Sequence, residues 1–347
     1  LISRKRVHLH CFLKLKVMAK KVGINGFGRI GKVVFRLLQQ HPEIEVVGIN
    51  DPMDLDTMVY LLKYDTVHGR FNGTVLRAEG GIMVNDKFIP VSAESDPENI
   101  PWKAWGADYV IESSGFFKGR VLLEKHLKAG AKKVVLSCPA SDPTMKSIVI
   151  GVNDHQLTDQ DVVISNASCT TNCLAPILKI MDDAFGVENG FMNTVHPFTN
   201  NQRIIDAPHS DIRRSRAAAS NIIPTTSSAI KALFEVSPQY KGRFDGFATR
   251  VPVDDGSFIE LCLNLSSDVD RDQINRVMQE AADGKFHGIV EYTEDPIVSS
   301  DIVDNPHSAI FDARATRVIG TRFVQVLAWY DNEYGYSNRI VDLLSII

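Results

Sequence analysis

The chain has 347 residues, 44% of them hydrophobic and 23% charged, with a formal net charge of −4. That length predicts one large or two medium domains with ample core, and the acidic balance gives no reason to expect nucleic acid or an anionic membrane as the main partner. No apolar run reaches the roughly 18 residues of a membrane helix. The five cysteines (11, 138, 169, 173 and 262) are odd in number and lack metal-ligand spacing, as in a reduced cytoplasmic protein.

Residues 1–17 stand apart. Arg4, Lys5, Arg6, Lys14 and Lys16 meet no acid there. A transit peptide is one reading; an upstream-extended reading frame, with Met18 as the start, is the more economical one.

From Lys20 to Ser168 short apolar strands alternate with helices. Strands are predicted at Val22–Asn25, Glu45–Asn50, Tyr109–Glu112, Lys133–Ser137 and Val162–Ser165, mostly as continuous Val/Ile runs suited to a parallel sheet covered on both faces. Helices are predicted at Ile30–His41 and Val121–Ala129, the latter closed by Gly130. Asn72-Gly73, Gly80-Gly81 and Asn85-Asp86 mark a hairpin excursion. The expected architecture is α/β, a Rossmann-type doubly wound parallel sheet over residues 18–168.

Gly26-Phe27-Gly28-Arg29-Ile30-Gly31 matches G-x-G-x-x-G between a strand and a helix, the context of a dinucleotide fingerprint. Twenty residues beyond Gly31, Asp51 ends the second strand, where a carboxylate accepts from both ribose hydroxyls and repels a 2′-phosphate; NAD is expected over NADP. The other reading is a structural βαβ turn. Ser113 and Gly115 end a later strand on the same edge and Ser137 ends another; all three are expected at the cofactor groove.

Asp161-Val162-Val163-Ile164 leads into Ser165-Asn166-Ala167-Ser168-Cys169-Thr170-Thr171-Asn172-Cys173, and a helical pattern follows. A cysteine at a helix start sits among unpaired backbone N–H groups and the positive end of the dipole, where its pKa falls and the thiolate becomes a nucleophile; the bland alternative is a small residue buried in a capping turn. Zinc would need two further ligands beside Cys169 and Cys173, and none stands at suitable spacing.

After Cys173 the pattern changes. Phe258–Leu265 alternates, and Gly246–Val253, Gly288–Thr293, Ser308–Ala313 and Arg322–Tyr330 also read as strands, with helices at Thr226–Phe234 and Arg271–Ala282. This predicts an α+β catalytic domain, residues 169–334, with a largely antiparallel sheet. A terminal helix, 335–347, carries Ile340, Leu343, Leu344 and Ile347 on one stripe and would return to the first domain. His196 precedes Pro197 and is expected at a strand end, a base for Cys169 only if the fold brings them together. The arginines at 203, 213, 214, 216 and 250 have planar forks suited to phosphate, but the residues alone favour a solvated or subunit-contacting face.

Val22–Gly31, Ser165–Pro176, Thr194–Thr199, Arg213–Ala217 and Trp329–Asn338 together resemble the phosphorylating glyceraldehyde-3-phosphate dehydrogenases, over about Lys20 to Ile347. The resemblance implies NAD-dependent oxidation and phosphorylation of glyceraldehyde 3-phosphate, with Cys169 as nucleophile through a thiohemiacetal and a thioester and His196 as base. It implies that Thr199, Arg214 and Arg250 hold the substrate phosphate, and that Ser168, Thr170, Ser227 and Ser228 surround the attacking inorganic phosphate. Phe27, Gly28, Arg29 and Ile30 join Gly26 and Asp51 at the cofactor, while Asn332 fixes the carboxamide and Tyr336 packs beside the nicotinamide. Residues 197–221 would form the family's S-loop, set against a neighbouring subunit of a homotetramer.

Some positions depart from the family: Pro197-Phe198, Asn201, Cys138, Tyr334 and Ser227-Ser228. Ser228 stands where glycine is usual, and serine takes positive φ less readily. Pro208, where NADP-using relatives tend to carry serine, agrees with Asp51. Two other readings are the same chemistry on another phospho-aldehyde, such as erythrose 4-phosphate, and a redox-sensing, RNA-binding interaction protein.

Overall fold

The structure, a computed structural model, describes residues 19–347; the basic leader lies outside the described residues. Two sheets carry the fold. The first has nine strands, with Lys20–Asn25 at its centre. Ile44–Asn50 pairs on one side of that strand and Tyr109–Glu112 on the other, both in parallel. Lys133–Leu136 and Val163–Ser165 continue the parallel order outward from Tyr109–Glu112. The chain therefore leaves its central strand in both directions, and the crevice at the carboxyl ends is a topological switch point.

Central strand residues Val22 and Ile24 are fully buried, as continuous apolar strands between helical layers require. The hairpin excursion forms where the turn residues place it. Val75–Ala78, Gly81–Val84 and Lys87–Ser92 run antiparallel, with Asn85 and Asp86 at positive φ in the second turn.

The second sheet has eight strands. Val187–Pro197 lies between Phe244–Val251, its parallel partner, and Ser257–Leu265, its antiparallel partner. Most of the remaining pairs are antiparallel, so the sheet is mixed. Ser257–Leu265 alternates as its sequence dictates: Ile259, Leu261, Leu263 and Leu265 are buried, while Glu260, Cys262 and Asn264 are only partly covered. The helix Cys169–Phe185 packs Leu174, Ile177, Leu178 and Met181 into this sheet's core.

The terminal helix Tyr334–Ile346 belongs to the first core, where Ile340, Leu343 and Leu344 are buried with Val33, Val34 and Leu37 of the helix Arg29–Leu38. Lys20 Nζ donates to the carbonyls of Leu344 and Ile347 at 2.6 and 2.7 Å. Among the described residues no helix is long and apolar enough to cross a membrane.

One buried polar chain fixes the carboxyl edge of the first sheet. Trp102 Nε1 donates to His126 Nδ1 at 3.0 Å, and His126 Nε2 meets Glu112 Oε2 at 3.0 Å. An indole can only donate, so Nδ1 is bare and the imidazole proton sits on Nε2, directed at the carboxylate. Glu112 also accepts from Asn25 Nδ2 and from the Ser114 backbone. Glu112, which ends its strand, is thereby a structural anchor rather than a groove-lining group. His126→Ala strands a buried indole N–H and takes one of two donors from a buried carboxylate oxygen that Asn25 still reaches, so unfolding by urea should show a loss of about 1–3 kcal/mol; a loss below about half a kcal/mol, the scale of an ordinary surface change, contradicts this assignment.

Candidate active site

Cys169 opens its helix directly after the strand Val163–Ser165. Ser168 is the cap, its Oγ accepting from Thr171 N at 3.0 Å. Ala167 holds φ +52 without being glycine, a strained conformation that costs on the order of 1 kcal/mol or more. Its surroundings hold it there: its N–H donates to Ser165 Oγ at 3.0 Å and its carbonyl accepts from Tyr336 Oη at 3.2 Å. The turn thus sets the sulfur at the cleft.

His196, next to last in Val187–Pro197, reaches Cys169 from the other side, with Nε2 3.6 Å from Sγ. The Tyr330 hydroxyl ties the two elements together through Thr170 Oγ1 at 2.8 Å and Thr194 Oγ1 at 2.9 Å. His196 Nδ1 lies 2.8 Å from both the Pro197 carbonyl and Arg250 Nη1, and that Nη1 also donates to the same carbonyl. With its proton on Nδ1, the imidazole donates to Pro197 and offers a bare Nε2 to the thiol. With Nδ1 bare, it accepts from Arg250 and turns an N–H toward sulfur. The departure at Pro197 leaves these contacts intact, because they use only its carbonyl.

The expected depression of the thiol pKa is not what this environment gives. Burial pushes the Cys169 thiol up; Arg250 and hydrogen bonds from Thr170 pull the other way without overcoming it. Burial, then Arg250, depress the His196 imidazole to about 3. Each group resists charge on its own. The charged form open to the two together is a thiolate beside an imidazolium, each the other's counter-ion. Cys173 has no part in this: it is fully buried in the second core, and burial holds its thiol high. Burial likewise raises the Cys138 thiol to about 11.

A cleft of about 590 Å³ opens over the sulfur, lined among others by Arg29, Ile30, Ser137, Cys138, Ser168, Cys169, His196, Thr199, Asn201, Arg250, Asn332 and Tyr336. A second cavity of about 360 Å³ shares Ser168, Cys169, His196, Asn201 and Arg250 and adds Thr170, Arg214, Ser227 and Ser228. Arg214 therefore sits with the hydroxyls and apart from Thr199, against the expected grouping. The cause is local: its Nε donates to Thr225 Oγ1 at 2.9 Å and its Nη2 to the Thr226 carbonyl at 3.2 Å, fixing it at the 225–228 turn. Ser228 needs no positive φ. It lies at φ −71, ψ −12 just before the helix Ala229–Val236, so serine in place of glycine costs no strain. Arg250 Nε is buried without a protein acceptor, a donor suited to an anion.

Gly26, Gly28, Asp51, Ser113 and Gly115 are not among the residues lining this cleft; they belong to the turns at the carboxyl ends of the first sheet. Gly26 has φ +89, and a Cβ there would overlap the Ser114 backbone, whereas one on Gly28 would meet nothing within 4 Å. That open side, before a helix start with no side-chain cap, fits a pyrophosphate. Asp51 accepts from Phe27 N at 2.6 Å and Met53 N at 2.8 Å, and its carboxylate retains lone pairs for ribose hydroxyls. Asn332 accepts from Ser257 Oγ at 2.7 Å through its side-chain oxygen, leaving its NH2 as a donor for a carboxamide. The residues present fit NAD.

Two expected cofactor residues act differently. The Phe27 side chain is fully buried against Phe35, and its N–H is already given to Asp51. Ser113 Oγ donates to the Gly26 carbonyl at 2.6 Å, a latch inside the turn rather than a ligand. Sequence reasoning missed Tyr330, Asp331 and Glu333, although all three fall in or beside the quoted Trp329–Asn338 stretch.

The family model for the glyceraldehyde 3-phosphate dehydrogenase NAD binding domain matches residues 20–120, and that for the C-terminal domain of the same family matches 168–332. The glyceraldehyde-3-phosphate dehydrogenase of Streptomyces coelicolor is 52% identical over 94% of this chain and 98% of its own length. Glyceraldehyde-3-phosphate dehydrogenase 1 of Bacillus subtilis is 49% identical over 95% and 98%. Glyceraldehyde-3-phosphate dehydrogenase 1 of Mucor circinelloides is 50% identical over 94% and 97%.

Because the imidazole supplies the counter-charge, His196→Asn should move the pH dependence of Cys169 alkylation by iodoacetamide to more alkaline pH, since burial then acts on the thiol with only Arg250 and the Thr170 hydrogen bonds against it. An unchanged pH profile would show that sulfur and imidazole do not titrate as a pair.

Proposed function

The chain belongs to the glyceraldehyde 3-phosphate dehydrogenase family, and from that premise we propose that it oxidises and phosphorylates glyceraldehyde 3-phosphate with NAD. The observation that carries this reading is the Cys169–His196 contact of 3.6 Å between two anion-suited cavities. His196 Nε2 takes the thiol proton as Sγ bonds to the aldehyde carbon and returns it to the oxygen as the C=O π bond opens, giving a thiohemiacetal and a neutral imidazole. The imidazole then takes the hydroxyl proton as the C–H bond breaks, and a thioester remains on sulfur. NAD, when bound, supplies the acceptor for the hydride. Inorganic phosphate attacks the thioester carbon and expels the Cys169 thiolate, giving the acyl phosphate.

Thr199 and Arg250 take the substrate phosphate in the larger cleft. Arg214, Ser168, Thr170, Ser227 and Ser228 take the attacking phosphate in the smaller cavity. The hydroxyls of Ser168 and Thr170 are already bonded to Thr171 and Tyr330, so the positive charge in the smaller cavity comes from Arg214 together with the shared Arg250. Residues 18–168 with the terminal helix form the cofactor domain, and 169–334 the catalytic one. Ile204, Ile205, Ile212 and Ile222 are 70–83% exposed within and beside the S-loop; so many exposed isoleucines mark a protein contact, here further copies of the chain in a homotetramer. A cytoplasmic location is the setting for this chemistry.

NADH formation should require both the aldehyde and phosphate or arsenate, and should run faster with NAD than with NADP. Cys169→Ser should abolish it. Arg214→Ala should raise the KM for phosphate by roughly tenfold or more, the cost of one charge-assisted contact, with a smaller effect on the aldehyde; Arg250→Ala should do the reverse. Turnover without phosphate at the full rate would overturn the reading.

A further inference from the structure

Next to the cleft, the loop 252–256 packs against the turn 331–333. Asp255 is 6% exposed, and neither of its carboxylate oxygens has a hydrogen-bond donor within the protein. Its carboxylate, that of Asp331 and the His68 imidazole bring polar atoms within 4.8 Å of one another. Asp331 is fully engaged as an anion: Oδ1 accepts from Glu333 N at 2.8 Å and Tyr334 N at 2.6 Å, and Oδ2 from Asp304 N at 2.8 Å. Two bare carboxylates do not share such a site.

A metal is a poor occupant. His68 has both ring nitrogens taken, Nδ1 by Asp304 at 2.6 Å and Nε2 by Glu333 at 3.0 Å, so it keeps no lone pair to give. Those hydrogen bonds outweigh burial and hold the imidazole charged up to about 9. A proton fits the geometry: as a carboxylic acid, Asp255 donates from one of its two orphaned oxygens to Asp331, and its other oxygen no longer carries a buried charge.

We propose that Asp255 is a positioning residue that works as a neutral acid, its proton bridging to Asp331 and bracing the turn that presents Asn332 to the cofactor. Asn332 is held from both sides, by Ser257 Oγ on the 255–257 side and, on its own, by the Asp331 carboxylate, which accepts from the Glu333 and Tyr334 N–H groups that follow it. Loss of the proton to solvent places a second negative charge against Asp331 and Glu333 and pushes the two loops apart. NAD binding then favours the protonated form, and the coupling is reciprocal. Burial, with Asp331 and Glu333 adding to it, raises the Asp255 carboxyl to about 8. Affinity is therefore retained below that pH and lost as pH rises through it. The charged groups around the pair are Asp331 and Glu333 from the turn and His68 from the 64–70 hairpin, with Asp304 and Arg29 behind them; burial raises the Asp331 carboxyl as well.

The inference rests on the assignment of Asn332 to NAD, and the test separates the two. NAD affinity is measured by calorimetry across pH for the wild type, Asp255→Asn and His68→Gln. The wild type should lose affinity roughly tenfold between about pH 7 and about pH 9.5, an ordinary magnitude for coupled sites. Asp255→Asn, whose amide donates to Asp331 permanently, should remove that dependence, and His68→Gln should keep it. Infrared difference spectra should show a protonated-carboxyl band in the wild type at neutral pH that Asp255→Asn lacks, a readout independent of any loss of stability. A flat wild-type profile, an alkaline limb surviving in Asp255→Asn, or no protonated-carboxyl band would overturn the proposal. An NAD affinity that rises with added magnesium and falls with chelator would also overturn it, in favour of a metal. Failure to bind NAD at any pH would instead strike the Asn332 assignment itself.

Discussion

The site depends on holding an imidazole 3.6 Å from a sulfur when the two side chains come from different elements. Cys169 rides on a helix start, and His196 on a strand between parallel and antiparallel neighbours. The buried Tyr330 hydroxyl spans them through Thr170 and Thr194. A displacement of about 1 Å here would cost catalysis heavily, and a phenol with both of its neighbours bonded is a stiff way to prevent it. The strain at Ala167 belongs to the same device: a relaxed turn would deliver the sulfur elsewhere.

Electrostatically the pair is poised rather than charged. Burial opposes a thiolate and an imidazolium separately, and Arg250 favours the first while opposing the second. Burial thus holds the resting pair neutral, and under the proposed function the substrate phosphate binds near Arg250. An anion there takes up part of the guanidinium's field and eases the formation of the imidazolium. The same arginine contacts the Pro197 carbonyl that orients the imidazole, so under the proposed function substrate binding and base orientation use one side chain.

Much of this was legible in the residues because local chemistry specified it. Continuous Val/Ile runs give a parallel sheet wherever helices cover both faces, and the alternation from Phe258 to Leu265 leaves only one face to bury. Asn85-Asp86 can only be a turn at positive φ in a hairpin. What escaped was set at long range. Arg214 sorts with Ser227 because Thr225 and Thr226 anchor it, a contact across eleven residues of loop that spacing does not reveal. The thiol was expected to be depressed because the helix start is visible in the sequence, while the burial that outweighs it is a property of the whole cleft. Ser113 and Phe27 were named for their place in a motif; only the packed turn shows one as a latch and the other as core.

The segment from Tyr330 to Glu333 explains why so much chemistry sits where the second sheet's last strand feeds the terminal helix. Tyr330 reaches back to the nucleophile. Asp331 gathers three backbone N–H groups, and Asn332 faces the cleft with its carbonyl fixed by Ser257. Glu333 pairs with Arg29 at the glycine turn and with His68. Arg29 is bonded in turn to Asp65 at 2.5 Å. Four consecutive residues therefore link the catalytic pair, the cofactor edge of the first sheet and the 64–70 hairpin. Because the helix that follows is packed into the first core, the turn cannot move without disturbing Ile340, Leu343 and Leu344. A terminal helix that looks like a mere return to the first domain is, by this route, what keeps the two halves of the reaction in register.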